Sequence, residues 1–96
     1  MQRRVVVTGI GLVSPLGLDA PSSWEALLAG RSGIGPITKF DAADYSCRIA
    51  GEVRGFDPER YMDRKDARKM DTFIHYAVAA SKEALGDAGF KIDAGN

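Results

Sequence analysis

The stretch VVVTGIGLVSPLG occupies residues 5–17, directly after Arg3 and Arg4. Three consecutive valines without polar alternation read as a strand covered on both faces, which assigns residues 4–13 to one strand. Ser14-Pro15 and Gly17 stop it, because proline supplies no amide donor and glycine permits a turn. The pair Gly9 and Gly11 also begins a dinucleotide-binding turn. That fingerprint needs a third small residue, a smooth helix start and an acidic residue about 20 positions later. Here Ser14 stands at the third position and Pro15 follows it, and a residue before proline is pushed out of the right-handed helical region. No acidic residue ends a second strand at the required distance. The glycines read instead as places where neighbouring groups approach the backbone closely.

The bulk numbers narrow the class. Ninety-six residues make one small domain at most, with 13 Lys plus Arg against 13 Asp plus Glu and a sequence pI near 6.6. A balanced total argues against a bulk nucleic-acid or membrane-surface binder, which needs a net basic field. A single cysteine, Cys47, excludes an internal disulfide and a multi-cysteine zinc site. The first apolar run is broken by Thr8, Gly9 and Gly11, so it lacks the h-region of a signal peptide. A soluble cytoplasmic chain is the expectation.

Further elements follow from caps and periodicity. Asp19 or Ser22 caps a short helix with Pro21 in its first turn, and Gly30 closes it. Trp24, Leu27 and Leu28 share one face of that helix, which makes Trp24 a core anchor. RSGIGPITKFDAADYS reads as loop, and residues 48–53 as a weak second strand ended by Gly55. Asp57-Pro58-Glu59 begins a helical turn. Residues 71–88 form the clearest helix, stopped at Gly89. Its apolar face is Ile74, Ala77, Val78, Ser81, Leu85 and Ala88, with His75, Ala79, Lys82 and Glu83 opposite. A strand such as residues 4–13 needs neighbours on both edges, and one weak partner cannot supply a stable sheet. The chain therefore reads as the opening part of something larger, or as one that needs a partner to complete its sheet.

In order, RRVVVTGIGLVSPLG, SWEALLAGRSGI, Phe40-Asp41 and DRKDARKMDTFIHYA resemble the N-terminus of the β-ketoacyl-[acyl-carrier-protein] synthases. RKMD, residues 68–71, favours synthase type II over type I. The resemblance covers almost the whole chain and implies the N-terminal part of a thiolase-like α/β fold, layered α-β-α-β-α, assembled as homodimers. On that reading residues 1–96 are an N-terminal fragment, incomplete alone. The implied reaction is a decarboxylative condensation of an acyl thioester with malonyl carrier, without metal or redox cofactor. Its cysteine and two histidines lie beyond position 96 in the family pattern, so no catalytic residue is assigned here. Cys47 stands in the loop YSCR, without the electropositive helix start that activates a thiol. His75 has no nucleophile or acidic partner placed to make it a general base and reads as a surface or interface residue.

One cluster suggests a partner. If residues 60–69 are helical, Arg60, Arg64 and Arg68 stack at i, i+4 and i+8, with Lys65 and Lys69 on the flank. Like charges at that spacing repel by a few tenths of a kcal/mol, roughly, per pair. By composition alone this is an ordinary solvated helix. The resemblance points elsewhere: carrier proteins are acidic, and Lys65, Arg68 and Lys69 match family positions that dock the carrier, with Arg64 a weaker match. Two functions stay open. One is the N-terminal piece of an elongating synthase in fatty-acid synthesis. The other is a standalone α/β binding module that holds an acidic protein through the basic segment.

Overall fold

The computed structural model describes residues 2–95. It resolves into two compact units, one made of residues 13–57 and the other of residues 58–95 together with the chain start up to residue 12.

In the first unit, Ser14 and Gly17 exchange backbone hydrogen bonds of 2.9 and 3.3 Å and turn the chain at the expected proline. Helix α1 follows at Ala20–Leu28. Asp19 is its N-cap, its carboxylate accepting from the Ser22 amide at 2.8 Å, and Pro21 stands in the first turn as expected. Gly30, at φ 71°, takes the left-handed conformation that ends it. The buried side of α1 is Ser23 and Ala26, whereas Trp24 is 60% exposed and Leu27 and Leu28 are also exposed. The expectation that Trp24 anchors a core is thus corrected: α1 packs through two small side chains.

The stretch read as loop contains strand β1, Ile34–Pro36, which pairs antiparallel with β2, Ile49–Gly51. Strand β2 lies inside the expected second strand, and Gly55 at φ 73° follows it. Pro15 packs against both strands, and a Cβ on Gly33 would come within 2.7 Å of the Pro15 Cβ. Glu52, just past β2, is buried and closes the loop beyond β1. Its carboxylate accepts from the Thr38 hydroxyl at 2.8 Å and from the Thr38 and Lys39 amides at 3.2 Å. The Thr38 hydroxyl, then these amides and the charge of Arg54, hold the carboxyl below its ordinary value of 4.5 against the opposing effect of burial.

The second unit is built on helix α3, Thr72–Ala88, capped by Asp71 and ended by Gly89 at φ 67°. Before it come a 3₁₀ turn at Pro58–Arg60 and the four-residue helix α2, Arg64–Ala67. Residues 2–12 form no ladder with any described residue, so the expected strand over 4–13 is corrected. A strand exists only where a second backbone takes its donors and acceptors. Val5 and Val7 are 95% and 81% exposed. What this segment does touch is α3. A Cβ on Gly9 would meet the Ala88 amide nitrogen at 2.7 Å, and one on Gly11 the Ala80 carbonyl carbon at 2.6 Å. Close approach was the expectation for both glycines, and it holds. The Asp87 carboxylate also accepts from the Ile10 amide at 3.0 Å.

This contact rotates the packed face of α3 away from the expected one. Ala79 is its buried residue at 2% exposure, Ala80, Ala84 and Ala88 line the glycines, and Ala77 and Ser81 are exposed. Among the described residues the buried apolar side chains are all alanines, at positions 26, 42, 67 and 79.

Candidate protein-docking surface

The basic block takes its shape from where its helix breaks. Pro58 begins a 3₁₀ turn that ends at Arg60, and Asp63, with extended backbone at φ −64° and ψ 146°, starts a new helix. One helix over residues 60–69, stacking Arg60 with Arg64 and Arg68, is therefore corrected. Only Arg64–Ala67 is α-helical, and Arg68 is its C-cap, its amide bonded to the Arg64 carbonyl at 3.2 Å. The break relieves like-charge stacking: Arg60 no longer shares a helix face with Arg64.

Arg64, Lys65, Arg68 and Lys69 are all exposed. Arg64 Nε lies 3.5 Å from a Glu59 carboxylate oxygen, with both side chains more than half exposed, and such a pair contributes under about 1 kcal/mol. Among the described residues, Lys65, Arg68 and Lys69 form no ion pair and no side-chain hydrogen bond. Ala67 alone in the helix is buried. His75, on the first turn of α3, reaches it: Nε2 lies 2.8 Å from the Ala67 carbonyl oxygen. A carbonyl only accepts, so Nε2 carries the proton. His75, expected at a surface or an interface, is half-buried and tied to α2.

Beside α2 opens a concavity of about 500 Å³ lined by Tyr61, Met62, Met70 and Val78 together with Glu59, Asp63, Asp66 and Lys82. The Lys82 ammonium donates to the Tyr61 carbonyl. None of the four candidate cations lines it. Three carboxylates thus outnumber the one cation at the hollow, while Lys65, Arg68 and Lys69 stand outside it. Sequence reasoning missed the hollow and the His75 tether. Met62 and Met70 straddle the helix break and show no common period, while Ala67, the one small residue in a charged block, was the available signal.

The remaining candidates stay structural. Cys47 is exposed, its thiol 3.4 Å from the Ile49 carbonyl oxygen. Among the described residues no three His, Cys, Asp or Glu side chains gather as a metal site requires, and no helix is long and apolar enough to cross a membrane.

Comparison with known proteins gives this surface its context. Residues 2–96 match the family model described as beta-ketoacyl synthase, N-terminal domain. The chain is 56% identical over 95 residues to 3-oxoacyl-[acyl-carrier-protein] synthase 2 of Vibrio cholerae, covering 99% of this chain and 23% of that protein. It is 50% identical over 92 residues to the protein of the same name from Synechocystis, covering 96% and 22%. Among solved structures, the ishigamide ketosynthase/chain length factor superposes with a TM-score of 0.84 at 40% identity, covering 95% of this chain and 23% of that one. The chain thus spans under a quarter of the length of the relatives it matches.

Proposed function

From a chain that belongs to the β-ketoacyl synthase family by its N-terminal domain, we propose the N-terminal part of a type II 3-oxoacyl-[acyl-carrier-protein] synthase whose α2 region docks the carrier protein. The parent is a cytoplasmic homodimeric acyltransferase of fatty-acid elongation with the layered thiolase-like fold. A cysteine takes the acyl chain as a thioester. Malonyl carrier loses CO2, and the carbanion so formed attacks that thioester, making the new carbon–carbon bond and expelling the cysteine thiolate. Two histidines stabilise negative charge on the malonyl thioester oxygen. These groups belong to sequence beyond residue 96, so this chain condenses nothing alone.

What this chain contributes is encounter. The observation that carries the reading is the trio Lys65, Arg68 and Lys69, exposed and unpaired within the described residues, Lys65 in a short helix and the other two directly after it. Exposed cations of this kind accelerate association with an acidic partner and are screened by salt. An exposed apolar run at residues 5–7 and an all-alanine buried set support a part over a self-contained module.

The test is Lys65→Glu with Lys69→Glu in the full-length synthase. Association with the acidic carrier slows at least about tenfold at low salt, and the difference shrinks at high salt. KM for the carrier substrate rises while kcat at saturation holds. Unchanged carrier affinity at low salt refutes the docking surface.

A further inference from the structure

We infer that His75 is a positioning residue for the cationic surface, holding the C-terminal end of α2 in place through its bond to the Ala67 carbonyl. This rests on the docking reading above and adds to it a residue outside the exposed cationic trio.

The argument begins with how little holds α2. Four residues are about one turn, far below the length at which a helix persists unaided. Its N-cap, Asp63, makes no side-chain cap hydrogen bond. Its internal bonds are few, the Ala67 amide to the Asp63 carbonyl at 2.9 Å and the Arg68 amide to the Arg64 carbonyl at 3.2 Å. Burial adds the single methyl of Ala67. The last carbonyls of any helix lack an intrahelical partner, and here the Ala67 oxygen finds two. The Met70 amide reaches it at 3.3 Å and the His75 ring at the shorter 2.8 Å.

His75 comes from firmer ground. Helix α3 runs 17 residues, is capped at both ends and is packed along Gly9 and Gly11. The ring therefore transfers the position of a long helix to the end of a short one. Lys65 lies within that short helix, and Arg68 and Lys69 directly follow its last residue. Without the tether these three cations spread over many conformations, and docking must then order them, which weakens binding with every charge still present.

The experiment compares His75→Ala, His75→Gln and Lys65→Glu/Lys69→Glu in the full-length synthase, by amide hydrogen exchange and by carrier binding over a range of salt. A glutamine amide reaches about as far as Nε2 and keeps the donor. In His75→Ala the Arg68, Lys69 and Met70 amides exchange about fivefold faster, the shift that loss of one ordinary hydrogen bond produces. KM for the carrier rises by a similar factor, kcat holds, and the salt dependence keeps its slope because Lys65, Arg68 and Lys69 all remain. His75→Gln restores both readouts, while the charge-reversed protein loses salt dependence. Wild-type exchange and binding in His75→Ala overturn the inference, as does failure of His75→Gln to rescue, which would leave only ring packing. Faster exchange with wild-type binding overturns the positioning role and leaves the docking reading standing. Unchanged binding in Lys65→Glu/Lys69→Glu overturns the docking reading itself, and the inference with it.

Discussion

Replacing Gly11 with alanine tests the contact on which the second unit is built. The new Cβ would stand 2.6 Å from the Ala80 carbonyl carbon and 2.8 Å from the Ala84 nitrogen, where ordinary contact begins at 3.4 Å. The shortfall is about 0.8 Å at that carbon and greater at the Ala80 carbonyl oxygen, all of it against helix backbone, which cannot rotate aside as a side chain can. Residue 11 and its neighbours must retreat from α3, stretching the 3.0 Å bond from the Ile10 amide to Asp87. Overpacking of this size costs about 1–3 kcal/mol, and weakening a bond to a carboxylate about 1 more. A destabilisation of about 2–4 kcal/mol is expected, read as a lower denaturant midpoint at unchanged slope. Gly86 in the same helix is the control, because a Cβ there meets nothing within 4 Å and its φ is ordinary. Gly86→Ala should raise stability by about 0.5–1 kcal/mol. A Gly11→Ala protein as stable as the wild type, or one matched in loss by Gly86→Ala, refutes the close approach.

Glu52 makes a pH prediction for the first unit. Its carboxyl lies below 4.5 when folded, so its contribution is present above that value and disappears as pH falls through the folded pKa. The unfolding midpoint should drop as pH is lowered beneath about 4.5, and Glu52→Gln should start lower at neutral pH and flatten that dependence. Thermal melts across pH 3–7, roughly bracketing the ordinary carboxylate range, check both. At the start of α1, Asp19→Ala removes the acceptor of the Ser22 amide and should cost about 1 kcal/mol in denaturant unfolding, whereas Asp19→Asn should cost much less.

The sequence was most legible where one residue type enforces one backbone state. Asp19, one of two cap candidates, and Gly30 bracket α1, and Gly89 stops α3 as expected. Gly9 and Gly11 announced a close neighbour, though not which one. Legibility failed where several residues fit equally well. In α3 the alanines at 77, 79, 80, 84 and 88 mark no face by size, so the packed side was set by tertiary contact. Charge spacing over 60–69 could not reveal that Asp63 leaves helical geometry and begins a new turn. Gly35 and Pro36 disguised β1 as loop, because short edge strands tolerate residues that central ones reject. The cations proposed to dock a partner were named through family resemblance. The bond from His75 to Ala67 was not foreseen, since a side chain reaching back eight positions to a carbonyl leaves no periodic trace.

The sorting of charge beside α2 has a directional effect. Glu59, Asp63 and Asp66 gather at the hollow, while Lys65, Arg68 and Lys69 stand clear of it. Separated poles of this kind exert a torque on an approaching anion as well as a pull. Within about 8–10 Å, the reach of unscreened fields in physiological salt, the acidic partner proposed above would be turned away from the carboxylates and toward Lys65, Arg68 and Lys69. Its heading is thus chosen while a layer of water still separates the two surfaces.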